Sequence, residues 1–210
     1  MTIETWLAFC FASTVLLMIP GPTILLVLSY ALSQGRRVAV ASATGVALGD
    51  FIAMSASLAG LGALVLASAT AFTVLKWIGA AYLVWMGVRL IRSAPHGGIA
   101  LPDAPEGIRA VAIFWHAAAV TALNPKSIAF FIAFVPQFIR ADQPLIPQFA
   151  ILIATFVTLA ALNALAYALL ADRLRATIQR PAIIAWLTRL GGTALIGMGV
   201  MTATLRRATS

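Results

Sequence analysis

Apolar residues fill this chain in long runs that charged residues rarely interrupt. Residues 5–35 carry no charge, 38–75 only Asp50, 77–88 none, 110–139 only Lys126, 143–171 none and 190–205 none. An apolar stretch of about 18 residues or more is long enough to cross the hydrocarbon of a bilayer as a helix. The pattern predicts six spans, at about 5–30, 38–60, 71–92, 110–138, 146–170 and 183–205. The first has no basic start, carries Glu4 instead, and runs longer than the apolar core of a signal peptide. It is expected to be a permanent span.

Composition agrees with the pattern. Of 210 residues, 62% are hydrophobic and 10% are charged, and the mean hydropathy is +1.01. A soluble domain holds about 25% charged residues, so neither a soluble globular protein nor a disordered one fits. The fold expected is all-α, a polytopic membrane protein without a separate soluble domain. A single cysteine, Cys10, excludes a disulfide framework or a CxxC pair, and the scattered His96 and His116 form no metal-ligand pattern. No cofactor is expected.

The net charge of +8 would suggest nucleic acid in a soluble chain. Here it reads as topology. Arg36, Arg37, Arg89, Arg92, Arg109, Arg173, Arg175, Arg180 and Arg189 fall at connections one, three and five, against Lys76, Arg140, Arg206 and Arg207 on the other side. Basic residues stay cytoplasmic, so both termini are expected outside. Trp6, Trp77, Trp115 and Trp186 fall near span starts, where interfacial tryptophans belong.

The chain reads as two related halves, about 1–92 and 108–210, joined by a proline- and glycine-rich linker at 93–107. LKWIGAAYLVWMGV, starting at Leu75, aligns without gaps with LTRLGGTALIGMGV, starting at Leu187. Leu75/Leu187, Gly79/Gly191, Leu83/Leu195, Met86/Met198, Gly87/Gly199 and Val88/Val200 are identical, at an offset of 112. Pro20-Gly21-Pro22 interrupts the first span, as Asn124-Pro125-Lys126 does the fourth. Asp50 in the second span is matched by Asn163 in the fifth. Halves of three spans each must insert in opposite orientations. Inverted repeats with interrupted helices in matching places point to a transporter with its site near the midplane.

Few residues remain to carry chemistry. Pro20 and Pro22 remove amide donors, and carbonyls freed inside a membrane must be met by protein or a water-filled cavity. Lys126 falls near mid-bilayer, where a charge costs at least ~2.5–3.5 kcal/mol. Asp50 is equally deep, and attraction between the two would offset part of that cost. Burial favours a neutral carboxyl group and a nearby ammonium favours the charged one, so a shifting Asp50–Lys126 pair would bind and release a proton. Asn163 reads as an interhelical hydrogen-bonding residue, and Gly45 and Gly49 as a close-packing step beside Asp50 that would also admit a substrate. Sequence motifs for nucleotide binding, serine hydrolases or zinc proteases are absent, so an enzyme is not expected.

The segments PGPTILLVLSYALSQGRRVAVASATGVALGD, YLVWMGVRLIR and LNPKSIAFFIAFVPQF, in this order across nearly the whole chain, resemble the lysine exporter family (LysE/RhtB type), with its homoserine/threonine exporter branch the closer match. The resemblance implies a multi-pass exporter of the bacterial inner membrane. Its cargo would be an amino acid or similar small zwitterion, driven by proton antiport. It implies roles in the substrate or ion path for Pro20, Gly21, Pro22, Gly45, Gly49, Asp50, Asn124, Pro125 and Lys126. The expected partners are the substrate, protons and the lipid bilayer, with no nucleic acid. The packing glycines would serve a homo-oligomer as readily as one chain. Efflux of another metabolite or a cation is the alternative within transport; a non-transport membrane subunit or an intramembrane enzyme lies outside it.

Overall fold

The computed structural model describes residues 1–19, 21–92, 107–140, 143–171, 173 and 181–204. These are helical almost throughout, and no strand occurs among them. The helices are α1 (Ile3–Met18), α2 (Pro22–Gln34), α3 (Ala39–Ala67), α4 (Ala69–Arg92), α5 (Ala110–Ala122), α6 (Pro125–Ala133), α7 (Leu145–Leu169) and α8 (Pro181–Thr204), with 3-10 turns at Gly35–Val38 and Val135–Phe138. The all-α membrane architecture expected from the sequence is the one observed.

Three segments, Ala39–Leu64, Thr73–Arg92 and Leu145–Leu169, are each long and apolar enough to cross a membrane. Two bent pairs qualify as broken spans: α1 with α2, bent by 58°, and α5 with Pro125–Phe138, bent by 46°. These five match the first five expected spans. The sixth falls on α8, whose 24 residues reach about 36 Å at ~1.5 Å per residue. Lys76 and Arg189 lie within α4 and α8 rather than in connections. The linker at 93–106 and the Arg206-Arg207 pair lie outside the described residues.

Both breaks are built in the same way. Ile19 leaves α1 with extended backbone (φ −69°, ψ 116°), and Gly21 caps α2 in an extended conformation, with Pro22 as its first residue. Asn124 (φ −69°, ψ 110°) caps α6, with Pro125 first. A proline cannot continue the helix before it, and it pushes the preceding residue to extended backbone. As the first residue of the next helix it loses nothing, because that N–H has no acceptor within the helix. Asn124-Pro125 thus separates α5 from α6, and Gly21-Pro22 starts α2 a few residues after α1 ends.

Small residues set the packing around the breaks. α3 lies against α5 through Gly45, which faces Phe114 and Ala117, and Gly49, which faces Ala118 and Thr121. α4 lies against α8 through a reciprocal contact: Gly87 faces Gly192 and Ile196, while Gly199 faces Ala80 and Val84. The offset of 112 carries Gly87, Ala80 and Val84 onto Gly199, Gly192 and Ile196, so each contact is the image of the other. Between α1, α6 and α7 the filler is aromatic. Phe9 meets Phe138 at 5.3 Å, Phe138 meets Phe134 at 5.4 Å and Phe131 meets Phe156 at 4.8 Å.

The outer surface is apolar, with Phe11, Ile78, Trp85 and Leu162 exposed, as hydrocarbon solvent allows. Trp77, Trp115 and Trp186 are exposed too, as membrane anchors would be. Trp6 differs, because its indole N–H donates to Thr155 Oγ1 at 3.0 Å and ties α1 to α7.

A Cβ at position 199 would stand 2.7 Å from the Ala80 carbonyl oxygen and from Val84. Gly199→Ala is expected to destabilise the protein by about 1–3 kcal/mol through overpacking, read as a lower unfolding midpoint in detergent. Gly60→Ala, where nothing lies within 4 Å, should not lower that midpoint.

Candidate functional site

The two broken spans lie side by side and run antiparallel. Phe9 meets Phe138 near one end and Tyr30 meets His116 near the other, with a 2.6 Å hydrogen bond between the Tyr30 hydroxyl and His116 Nδ1. Between them, Lys126 reaches Leu16 and Ile19, and Thr23 meets Thr121 and Asn124. Every contact follows one register, so the break at 19–22 falls opposite the break at 123–125.

At this crossing the end of α1 presents the carbonyls of Leu16 to Ile19, of which Leu16 already accepts the Ile19 backbone N–H at 3.2 Å. Side chains from two other helices take them. Lys126 Nζ donates to the Leu16 oxygen at 3.1 Å and the Ile19 oxygen at 2.8 Å. Asn163 Nδ2 donates to the Leu17 oxygen at 3.2 Å, and the Tyr167 hydroxyl donates to the Met18 oxygen at 3.3 Å. The C-terminal end of a helix carries partial negative charge, so the lysine ammonium suits it. Gly21 leaves room there: a Cβ on it would already sit 3.5 Å from Lys126 Nζ.

The opposing helix starts are held together by hydroxyls and an amide. Asn124 Oδ1 accepts from the Lys126 backbone N–H at 3.1 Å, capping α6, while its Nδ2 donates to Thr23 Oγ1 at 3.1 Å. The Thr121 hydroxyl donates to the same Thr23 oxygen at 3.3 Å. All three side chains are buried.

Asp50 stands on α3, one residue beyond Gly49, and is 2% exposed. It is the only charged residue in the buried class among those described, and its Oδ1 has no hydrogen-bond partner. Asp50 and Lys126 are near enough to interact electrostatically. The Lys126 hydrogen bonds nevertheless go to α1 carbonyls, and no direct hydrogen bond joins the two residues.

The structure thus gathers Gly21, Pro22, Asn124, Pro125, Lys126 and Asn163 at one crossing, with Asp50 beside it. Gly45 and Gly49 sit in the α3–α5 contact, where α5 fills the space that their missing side chains leave. Pro20 lies outside the described residues. Among the described residues, no three His, Cys, Asp or Glu side chains come together in a way that would hold a metal.

Sequence reasoning missed Thr23, Thr121, Tyr167 and the pairing of His116 with Tyr30. Thr23 and Thr121 flank the two prolines within a turn, and Tyr167 follows Asn163 by one turn on the same helix face. Polar residues one turn from a break were the available signal.

The family model of the LysE type translocator matches residues 14–206. The chain belongs to the LysE type translocator family. Among its relatives, a homoserine/homoserine lactone efflux protein of Salmonella typhimurium is 36% identical over 208 residues, covering 99% of this chain and all of that one. An uncharacterized membrane protein of Vibrio cholerae is 35% identical over 207 residues, covering 98% and 100%. A leucine efflux protein of an Enterobacter species is 30% identical over 130 residues, 59% of this chain and 58% of that one. No solved structure matches. In this LysE translocator the matched region contains both breaks, Asp50 and Lys126.

Asn124→Ala removes the α6 cap and the bond to Thr23, and is expected to destabilise the translocator by about 0.5–2 kcal/mol. Asn124→Ser, which keeps a capping oxygen, should recover most of the loss. Unfolding midpoints of both variants in detergent check the order.

Proposed function

We propose that this LysE translocator exports an amino acid or a similar small zwitterion from the cytoplasm of a bacterium, across the inner membrane, in exchange for protons. The observation that carries the reading is the crossing of two broken spans, where a half-buried lysine ammonium is held by backbone carbonyls, beside a buried carboxylate. Carbonyls at the end of α1, the hydroxyls of Thr23 and Thr121, and the opposite charges of Asp50 and Lys126 are the groups that a zwitterion requires. The relative named for homoserine and homoserine lactone efflux, matched along its full length, places small polar amino compounds first among substrates to try.

The mechanism needs one group that can hold or release a proton while staying buried. Asp50 serves as that group, and Lys126 as the cation that steadies its charged form. Substrate and proton then alternate at the crossing. No chemical bond in the substrate changes, and the site has no nucleophile paired with a base.

The same reading takes α8 as the sixth span and the chain as two three-span halves of opposite orientation. Three observations support it: both breaks share one local construction, the broken spans run antiparallel, and the α4–α8 contact maps onto itself under the repeat offset. The arginine distribution supports both termini outside.

Counterflow into proteoliposomes tests the proposal. The wild type is expected to exchange labelled L-homoserine saturably and to respond to an imposed pH gradient. Asp50→Asn should keep exchange and lose the pH response. A pH response intact in Asp50→Asn would remove Asp50 from the mechanism, and no exchange of any amino acid by folded protein would remove the substrate class.

A further inference from the structure

The Lys126 ammonium does not sit where attraction to the buried Asp50 carboxylate would be expected to put it. It is bound to Leu16 and Ile19 carbonyl oxygens at 3.1 and 2.8 Å, while Asp50 Oδ1, buried, has no partner. Two carbonyls at the negative end of α1, set to receive two N–H groups from one cation, describe a seat for a primary ammonium. We propose that the substrate's own primary ammonium competes with Lys126 for this seat, and that Lys126 then moves to Asp50. The inference rests on the reading of the protein as an amino acid exporter.

The chemistry of the seat fixes the class of group it takes. A carbonyl pair needs N–H donors, which a primary ammonium has and a quaternary ammonium lacks. A carboxylate is repelled by the same carbonyls. The neighbouring acceptors, Leu17 and Met18, are already held by the uncharged donors Asn163 and Tyr167. These two bonds keep the end of α1 in place while the cation at Leu16 and Ile19 changes. Gly21 leaves the approach to Lys126 Nζ free of a side chain. Exchange of one ammonium for another leaves the charge at the seat unchanged, and the displaced lysine has a buried carboxylate to receive it.

The exchange also gives specificity for the α-amino group. Homoserine and leucine share that group and differ in side chain. A seat that reads only the ammonium accepts both, and discriminates against the corresponding hydroxy acids.

Chemical rescue tests this directly. Lys126→Ala opens the seat, and n-butylammonium carries the same N–H donors on an alkyl chain one carbon longer than the part removed. Butylammonium is expected to raise the unfolding midpoint of purified Lys126→Ala. Its half-saturating concentration should be about tenfold or more below that of the wild type, where Lys126 must first be displaced. Tetramethylammonium, which has no N–H, should do nothing. Equal effects of the two cations, or no effect of either on folded Lys126→Ala, would overturn the proposal.

Should Lys126→Ala not fold, the wild type provides the test. L-homoserine counterflow should be inhibited by butylammonium and not by tetramethylammonium, and insensitivity to both would overturn the proposal. If butylammonium rescues the variant while the wild type carries no amino acid, the ammonium seat stands and the exporter reading falls.

Discussion

A helix broken within an apolar span leaves carbonyls that the helix itself does not pair, and the side chains around the break are arranged to meet them. The end of α1 offers such oxygens on Leu17, Met18 and the capping Ile19, with Leu16 beside them already accepting the Ile19 N–H. Lys126, Asn163 and Tyr167 satisfy them from α6 and α7. An unsatisfied polar group in hydrocarbon costs several kcal/mol, so these bonds fix where α6 and α7 stand relative to α1. The second break follows the same rule, with Asn124 capping α6 and reaching across to Thr23.

This requirement links stability to transport. On the reading proposed above, the groups that satisfy the broken helix by hydrogen bonds are exchanged for those of a ligand. Lys126 holds the end of α1 as a charged donor, and Asn163 and Tyr167 hold it as neutral ones. On the same reading a positive charge leaves without releasing the helix. Around this adjustable centre the glycine contacts are rigid: Gly45 and Gly49 bring α3 against α5, and Gly87 and Gly199 bring α4 against α8.

Much of this was legible in the chain. Charges mark most ends of the first five spans, because an ion cannot remain in hydrocarbon without cause; the α3–α4 boundary carries none, and Lys76 lies within α4. Pro22 and Pro125 mark both breaks, because proline leaves a helix no other choice. The family resemblance, read on motifs at both breaks and at Asp50, agrees with the family model matched over residues 14–206. What the one-dimensional pattern hid was partnership. Attraction between opposite charges suggested a direct bond between Lys126 and Asp50, whereas backbone carbonyls, invisible as sequence, take the lysine. Thr23 and Thr121 look like ordinary span residues until the antiparallel register sets them face to face. Tyr30 and His116, 86 positions apart, are joined by the same register.

The central claim is that the two breaks meet, and cross-linking in native membranes tests it most directly. In a Cys10→Ser background, the Thr23→Cys/Thr121→Cys pair replaces hydroxyls that lie 3.3 Å apart. Mild oxidation should join the pair within the chain, while Thr23→Cys combined with Thr193→Cys on α8 should stay reduced. The bond can be read as a mobility shift of protein cleaved between the two halves. Failure of the 23/121 pair to cross-link, with both thiols shown to be present and reduced, would contradict the account.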